Sequence, residues 1–194
     1  MAAEPQADLE SGEPELDARA EAELALRRRA ALAQIRQYPD PALRLRANEV
    51  TEFDGALARL AERMTDLMHE AQGVGLAATQ VGVLQRLFVF QPDEDEEARA
   101  IVNPRIVSRS EELESADEGC LSLQGVHVPV DRHVTITLEG VDLEGAPLRL
   151  ELDEMPARVA QHEIDHLDGT LIIERTDAQS RREALATLRR NPSL

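Results

Sequence analysis

Residues His162-Glu163-Ile164-Asp165-His166 carry the strongest chemical signal in this chain. Two histidines four positions apart lie one turn apart on one helix face, so their imidazoles can converge on a single cation. Glu163 directly follows the first of them and can lean toward a water activated there. With only five histidines in 194 residues, chance seldom produces this spacing. The bland alternative is an amphipathic helix with two surface histidines.

Two ligands do not make a stable site, and no further histidine follows His166. The single cysteine, Cys120, sits in Glu118-Gly119-Cys120-Leu121-Ser122. It is open to three readings: an inert buried thiol, a nucleophile with a histidine base, or a thiolate ligand. Beside a His-Glu-x-x-His pair the ligand reading is favoured, giving a Cys-His-His set with one position left for water. A third element, Gly73-Val74-Gly75-Leu76-Ala77-Ala78-Thr79-Gln80, combines small residues that let a ligand approach the backbone with an amide donor, Gln80. It lacks the lysine of a phosphate loop.

The elements that position these residues are legible in outline. Asp153 to Leu167 is predicted as the helix bearing the histidines, with Asp153 as cap, Pro156 in its first turn and Gly169 at its end. Leu57, Leu60, Ala61, Met64, Leu67, Met68 and Ala71 form a helical stripe over Gly55 to Ala71, with Asp54 as cap and Gly73 and Gly75 as the stop. Arg86 to Phe90 and Ala100 to Val102 read as short strands around the acidic loop 92–97. Val126/Val128/Val130, Val134/Ile136/Leu138 and Leu148/Leu150/Leu152 alternate with polar residues, as half-buried antiparallel strands do. Asp142 to Gly145 is a hairpin connection. Residues 1–14 read as a disordered acidic tail without the apolar stretch of a signal peptide, and Glu15 to Gln37 as a solvated extension helix. Asp177 to Arg190 is a last helix carrying Arg181, Arg182, Arg189 and Arg190.

Composition narrows the function classes. The net charge of −17 disfavours sequence-independent binding to nucleic acid, and four aromatic residues leave no stacking platform for single strands. No run is long and apolar enough to suggest a membrane span. One cysteine fits a reducing, cytoplasmic setting. All 21 basic residues are arginine.

Taken in order, Gly73 to Gln80, Glu118 to Ser122 and Gln161 to His166 resemble the three motifs of peptide deformylases: Gly-x-Gly-Leu-Ala-Ala-x-Gln, Glu-Gly-Cys-Leu-Ser and Gln-His-Glu-x-Asp-His. Tyr38 to Arg44 is similar to that family's N-terminal segment. The resemblance implies an α+β fold with small antiparallel sheets packed around a central metal-binding helix. It divides the chain into a tail and extension helix (1–35), a catalytic domain (36–176) and an arginine-rich C-terminal helix (177–194). It implies hydrolytic removal of the formyl group from N-formylmethionyl peptides, releasing formate. Cys120, His162 and His166 would hold one divalent ion, ferrous iron first, with zinc, nickel or cobalt as alternatives. Glu163 would be the general base and then acid. Gln80 and the Leu121 amide would bind the formyl oxygen, and Gly75, with Gly73 and Val74, would lie along the substrate backbone. Glu118 and Asp165 are candidates to orient a ligand imidazole; for Asp165 an exposed helix position is the alternative.

Three positions depart from the family pattern. Leu123-Gln124 follow Ser122 where a proline is common, His127 stands near a usual arginine, and Arg158 stands where an aliphatic pocket residue is common. These departures leave a second reading, a deformylase-like protein that binds formylated N-termini without turnover. A general zinc peptidase is a third. The C-terminal arginines either dock to ribosomal RNA or form a solvated face. Neither DNA nor membrane is expected as a partner.

Overall fold

The helix that the histidine spacing requires is present as α3, Glu154–Leu167, preceded by Asp153 in extended conformation. From Ala157 to Leu167 every residue but His162 is buried, so this helix is the centre of the fold. The computed structural model describes residues 13–91, 93 and 95–190, with side chains from residue 19 onward. The tail expected over 1–14 lies, up to residue 12, outside the described residues.

Helix α1 (Glu13–Leu32) ends five residues before the expected Gln37. Its chain turns inward there: Ile35 is buried, and the Arg36 amide donates to the Gln80 carbonyl at 2.7 Å. Although residues 19–30 are exposed, Ala31 and Ile35 join the core beside α2, so the last turn of α1 is packed rather than solvated. Helix α2 (Gly55–Glu70) starts where Asp54 accepts hydrogen bonds from the Ala56 and Leu57 amides. Gln72, not a glycine, takes the left-handed conformation that ends it, with φ of 60°.

Strands β1 (Gly75–Ala77), β2 (Leu87–Phe90), β3 (Arg99–Arg109), β6 (Thr135–Val141) and β7 (Pro147–Asp153) form one antiparallel sheet in the order β1-β2-β3-β6-β7. Strands β4 (Leu113–Gly119) and β5 (His127–His133) form a separate hairpin in unbroken register. Strand β2 explains the layering. Leu87 and Val89 point toward α2, while Phe88 and Phe90 point toward α3, so the sheet is covered on both faces and β2 reads as a continuous apolar run. Ile136, Leu138 and Leu152 complete the face under α3. The valines of β5 pack instead with Leu171 to Ile173 and with Ala184 of α4 (Ala178–Arg190). Helix α3 thus lies between the five-stranded sheet and the hairpin, an α+β arrangement of small antiparallel sheets around one helix.

Candidate metal centre

His162 and His166 project from α3 on one side, with ring centroids 4.9 Å apart. The loop after β4 brings Cys120 to them. Its Sγ lies 3.2 Å from His166 Nε2, and one ligand atom from each of the three residues lies within 4.8 Å of the others. Metal–ligand bonds of about 2.0–2.3 Å require donor atoms about 3–4 Å apart, so a soft thiolate with two imidazoles fits a zinc- or iron-sized cation. His162 Nδ1 is engaged with Glu118 Oε2 at 3.0 Å, which leaves its Nε2 facing the cluster.

Glu118, on β4, is saturated. Arg132 donates to both of its oxygens at 2.9 Å, and Arg158 donates to Oε1 at 2.9 Å. Burial alone would raise the Glu118 pKa, but the His162 and Arg132 hydrogen bonds outweigh it and hold the carboxyl down at about 2. Asp165 is not an exposed helix residue: it is buried and accepts from Arg132 and Arg175. Among the described residues it hydrogen-bonds to neither ligand ring, and it shares Arg132 with Glu118. Burial opposes charge on His162, yet its Cys120 and Glu118 partners lift its pKa well above the ordinary value. His166, buried beside His162 and Arg132, is held well below.

Glu163 faces the same cavity. Burial, aided by the Glu118 charge, pushes its pKa up to about 7, and its Oε2 has no hydrogen-bond partner. A carboxyl poised near neutrality can take a proton and return it. Gly75 is what admits it. A Cβ there would collide with Glu163 Oε1 and would lie 2.8 Å from Val159 Cγ1. Gln80 is buried in a short 3-10 turn, Ala78–Val81. The Ala77 amide donates to its oxygen at 2.8 Å, which fixes the flip and turns Nε2 toward Ser122 Oγ at 3.1 Å and Cys120 Sγ at 3.8 Å. The Leu121 carbonyl is tied down by Gln37 Nε2 at 2.9 Å.

Gln80, Cys120, His162 and Glu163 open onto one cavity of about 620 Å³. Gly73, Val74 and Gly75 form one wall, and Glu118 to Leu121 the facing one. Among the described residues, strand β1 pairs only with β2, and β4 only with β5, so both walls present a free strand edge. Gln124, His127 and Arg158, the three departures, also line it, and so do Arg28 and Leu32 of α1. Sequence reasoning missed Arg132. Its signal was parity: it continues the inward series Val126, Val128, Val130 along β5, where an arginine needs a buried acid.

A family model for polypeptide deformylase matches residues 32–182. The chain belongs to the polypeptide deformylase family. Peptide deformylase 1 of Corynebacterium glutamicum is 40% identical over 161 residues, which cover 82% of this chain and 95% of that one. The peptide deformylase of Thermotoga neapolitana is 46% identical over 142 residues, 73% of this chain and 85% of its own. Among solved structures, the deformylase of Legionella pneumophila superposes with a TM-score of 0.76 at 38% identity, covering 80% of this chain and 92% of its own. The deformylase from Thermotoga maritima gives 0.71 at 44% identity, covering 74% and 96%. The matched span takes in all three motifs.

Proposed function

We propose that this chain hydrolyses the formyl amide of N-formylmethionyl peptides, releasing formate and a free amino terminus. The observation that carries the reading is the meeting of Cys120 Sγ with the two α3 imidazoles beside a buried Glu163 carboxyl whose Oε2 has no hydrogen-bond partner. Cys120, His162 and His166 would hold one divalent ion, which supplies Lewis acidity that lets water react as a nucleophile near neutral pH. Ferrous iron is our assignment, with zinc, nickel or cobalt suited to the same donors.

The protein's own groups do the rest. An extended substrate backbone lies between the two free strand edges, along Gly73, Val74 and Gly75. Glu163 takes one proton from the attacking water and delivers it to the departing amine, and the water's other proton leaves as the formic acid product ionises to formate. Gln80 Nε2 and the Leu121 amide stabilise negative charge as it develops on the formyl oxygen, each worth about 3 kcal/mol. Such chemistry serves nascent chains in the cytoplasm. Arg181, Arg182, Arg189 and Arg190, all exposed on α4, supply a local cationic face for ribosomal RNA.

The test is formate release from a formyl-Met peptide by protein prepared anaerobically with ferrous iron or nickel, with metal analysis of the same sample. Glu163→Gln should retain metal and lose about 10²- to 10⁴-fold in kcat. Metal binding without formate release would make the chain a binder of formylated termini. Cleavage of internal bonds would make it a peptidase.

A further inference from the structure

The proposed ligands come from two separate pieces, the loop closing the β4–β5 hairpin and the helix α3, and two arginines bridge the pieces in opposite directions. Arg132 starts on β5 and reaches Asp165 on α3 through Nη1 at 2.6 Å. Arg158 starts on α3 and reaches back. Its Nη1 donates to Glu118 Oε1 and to the Val130 carbonyl, both at 2.9 Å, and its Nη2 donates to the Glu114 carbonyl at 2.8 Å. The side chain is only 7% exposed. A buried guanidinium spread over both hairpin strands is a fixed strut.

Glu118 is where this strut meets the ligands. Its Oε1 takes Arg132 Nε and Arg158 Nη1, and its Oε2 takes Arg132 Nη2 and His162 Nδ1. With four donors on two oxygens the carboxylate has one orientation, and its second oxygen determines the rotation of the His162 ring. Removing Arg158 leaves Oε1 with one donor and removes the ties from α3 to the Val130 and Glu114 carbonyls, so that among the described residues only Arg132, through Asp165, still bridges hairpin and helix by a guanidinium.

We propose that Arg158 is a positioning residue that orients the ligand His162 through Glu118 and sets the spacing between the helix histidines and Cys120. The wall it contributes to the cavity is a consequence of this anchoring, since its polar head is turned away into the hairpin. The inference rests on the reading of Cys120, His162 and His166 as ligands.

The experiment is a double-mutant cycle read on metal binding, without turnover. The affinity for Co²⁺ is measured by chelator competition and its visible absorption band recorded for wild type, Arg158→Met, Glu118→Gln and the double variant, after thermal unfolding shows that each is folded. Should Arg158→Met fail to fold, Arg158→Lys, which keeps charge but spans fewer acceptors, replaces it in the same cycle. Expected is a loss of about tenfold in affinity for each single variant with a shifted band, and no further loss in the double variant beyond Glu118→Gln alone. Wild-type affinity in the Arg158 variant, losses that multiply in the double variant, or weaker binding with an unshifted band, as loosened packing alone would give, each overturn the proposal. A wild-type protein that binds no Co²⁺ overturns the ligand reading and this inference with it; binding without formate release on a formyl-Met peptide overturns the proposed reaction alone.

Discussion

Glycine is usually discussed for the backbone it permits, but Gly73 and Gly75 matter for what their missing Cβ atoms leave room for. At Gly75 the space belongs to the Glu163 carboxylate and to Val159, both packed against the backbone. At Gly73 a Cβ would lie 2.7 Å from Leu121 Cδ1, the far end of a side chain that can turn aside. The two alanine variants should therefore differ. Gly75→Ala must displace the proposed general base, and a misplacement of about 1 Å costs on the order of 10²-fold in rate. Gly73→Ala should lose far less. Steady-state kinetics with a formyl-Met peptide, alongside metal content that stays near wild type in both, checks this; equal losses would show that the Gly75–Glu163 contact does not govern the rate. The same residue-level logic applies to polar partners. Glu118 and Arg132 are costly to bury singly and stable as a pair, because each oxygen and each nitrogen that faces the other is used.

At the scale of elements, α1 and α4 flank the segment that carries the three motifs and are held by few residues. Ile35, just past α1, and Ala31 on its last turn are buried against α2. Ile35→Ala should cost about 2–5 kcal/mol in urea unfolding, which a solvated extension would not show. Helix α4 is secured at its start by Asp177, whose carboxylate accepts from the Ser180 hydroxyl and from the Ser180 and Gln179 amides. Those bonds, led by the Ser180 hydroxyl, hold its pKa below the ordinary 3.8. A depressed carboxylate adds stability above its unfolded value and loses it as pH falls through the folded one. Amide-exchange protection in the first turn of α4 should thus fade as pH drops below about 3.8, and Asp177→Ala should abolish that pH dependence. Such anchors show why parts of the fold were legible and others were not. The apolar stripe of α2, the alternation in β5 to β7 and the histidine spacing on α3 are direct imprints of burial. Strand β4 has no such imprint: in Leu113–Gly119 only Glu118 is buried, and pairing with β5 defines the strand. Strand β3 (Arg99–Arg109) runs well beyond the apolar run Ala100 to Val102 and continues through Pro104. The structure absorbs that proline in a register shift between Val102 and Arg105, beside Asn103 at φ 51°. The candidate ligands were legible from residue type and spacing. The arginines that hold Glu118 were not, since nothing local pairs Arg132 or Arg158 with an acid so far along the chain.

For the molecule as a whole, the proposed ligands join segments that only the fold brings together, a hairpin loop at Cys120 and helix histidines more than 40 residues later. A cation bound by all three exists only on the folded chain, so it should act as a reversible crosslink between the hairpin layer and the helix layer. Its contribution follows mass action: at a free concentration 100 times Kd it adds about 2.7 kcal/mol. For a chain of 194 residues each kcal/mol moves Tm by about 2–4 °C. Removing metal with a chelator should therefore lower Tm by about 5–10 °C, and returning Co²⁺ or Zn²⁺ should restore it. Cys120→Ala separates this linkage from unspecific ion effects on a surface of net charge −17, because it removes one donor while leaving the acidic surface intact. The variant should unfold near the temperature of the chelated wild type and respond weakly to added metal. If wild type and Cys120→Ala gain equally from Co²⁺, the stabilising ions sit on the acidic surface and the hairpin is not tied to the helix by a shared cation.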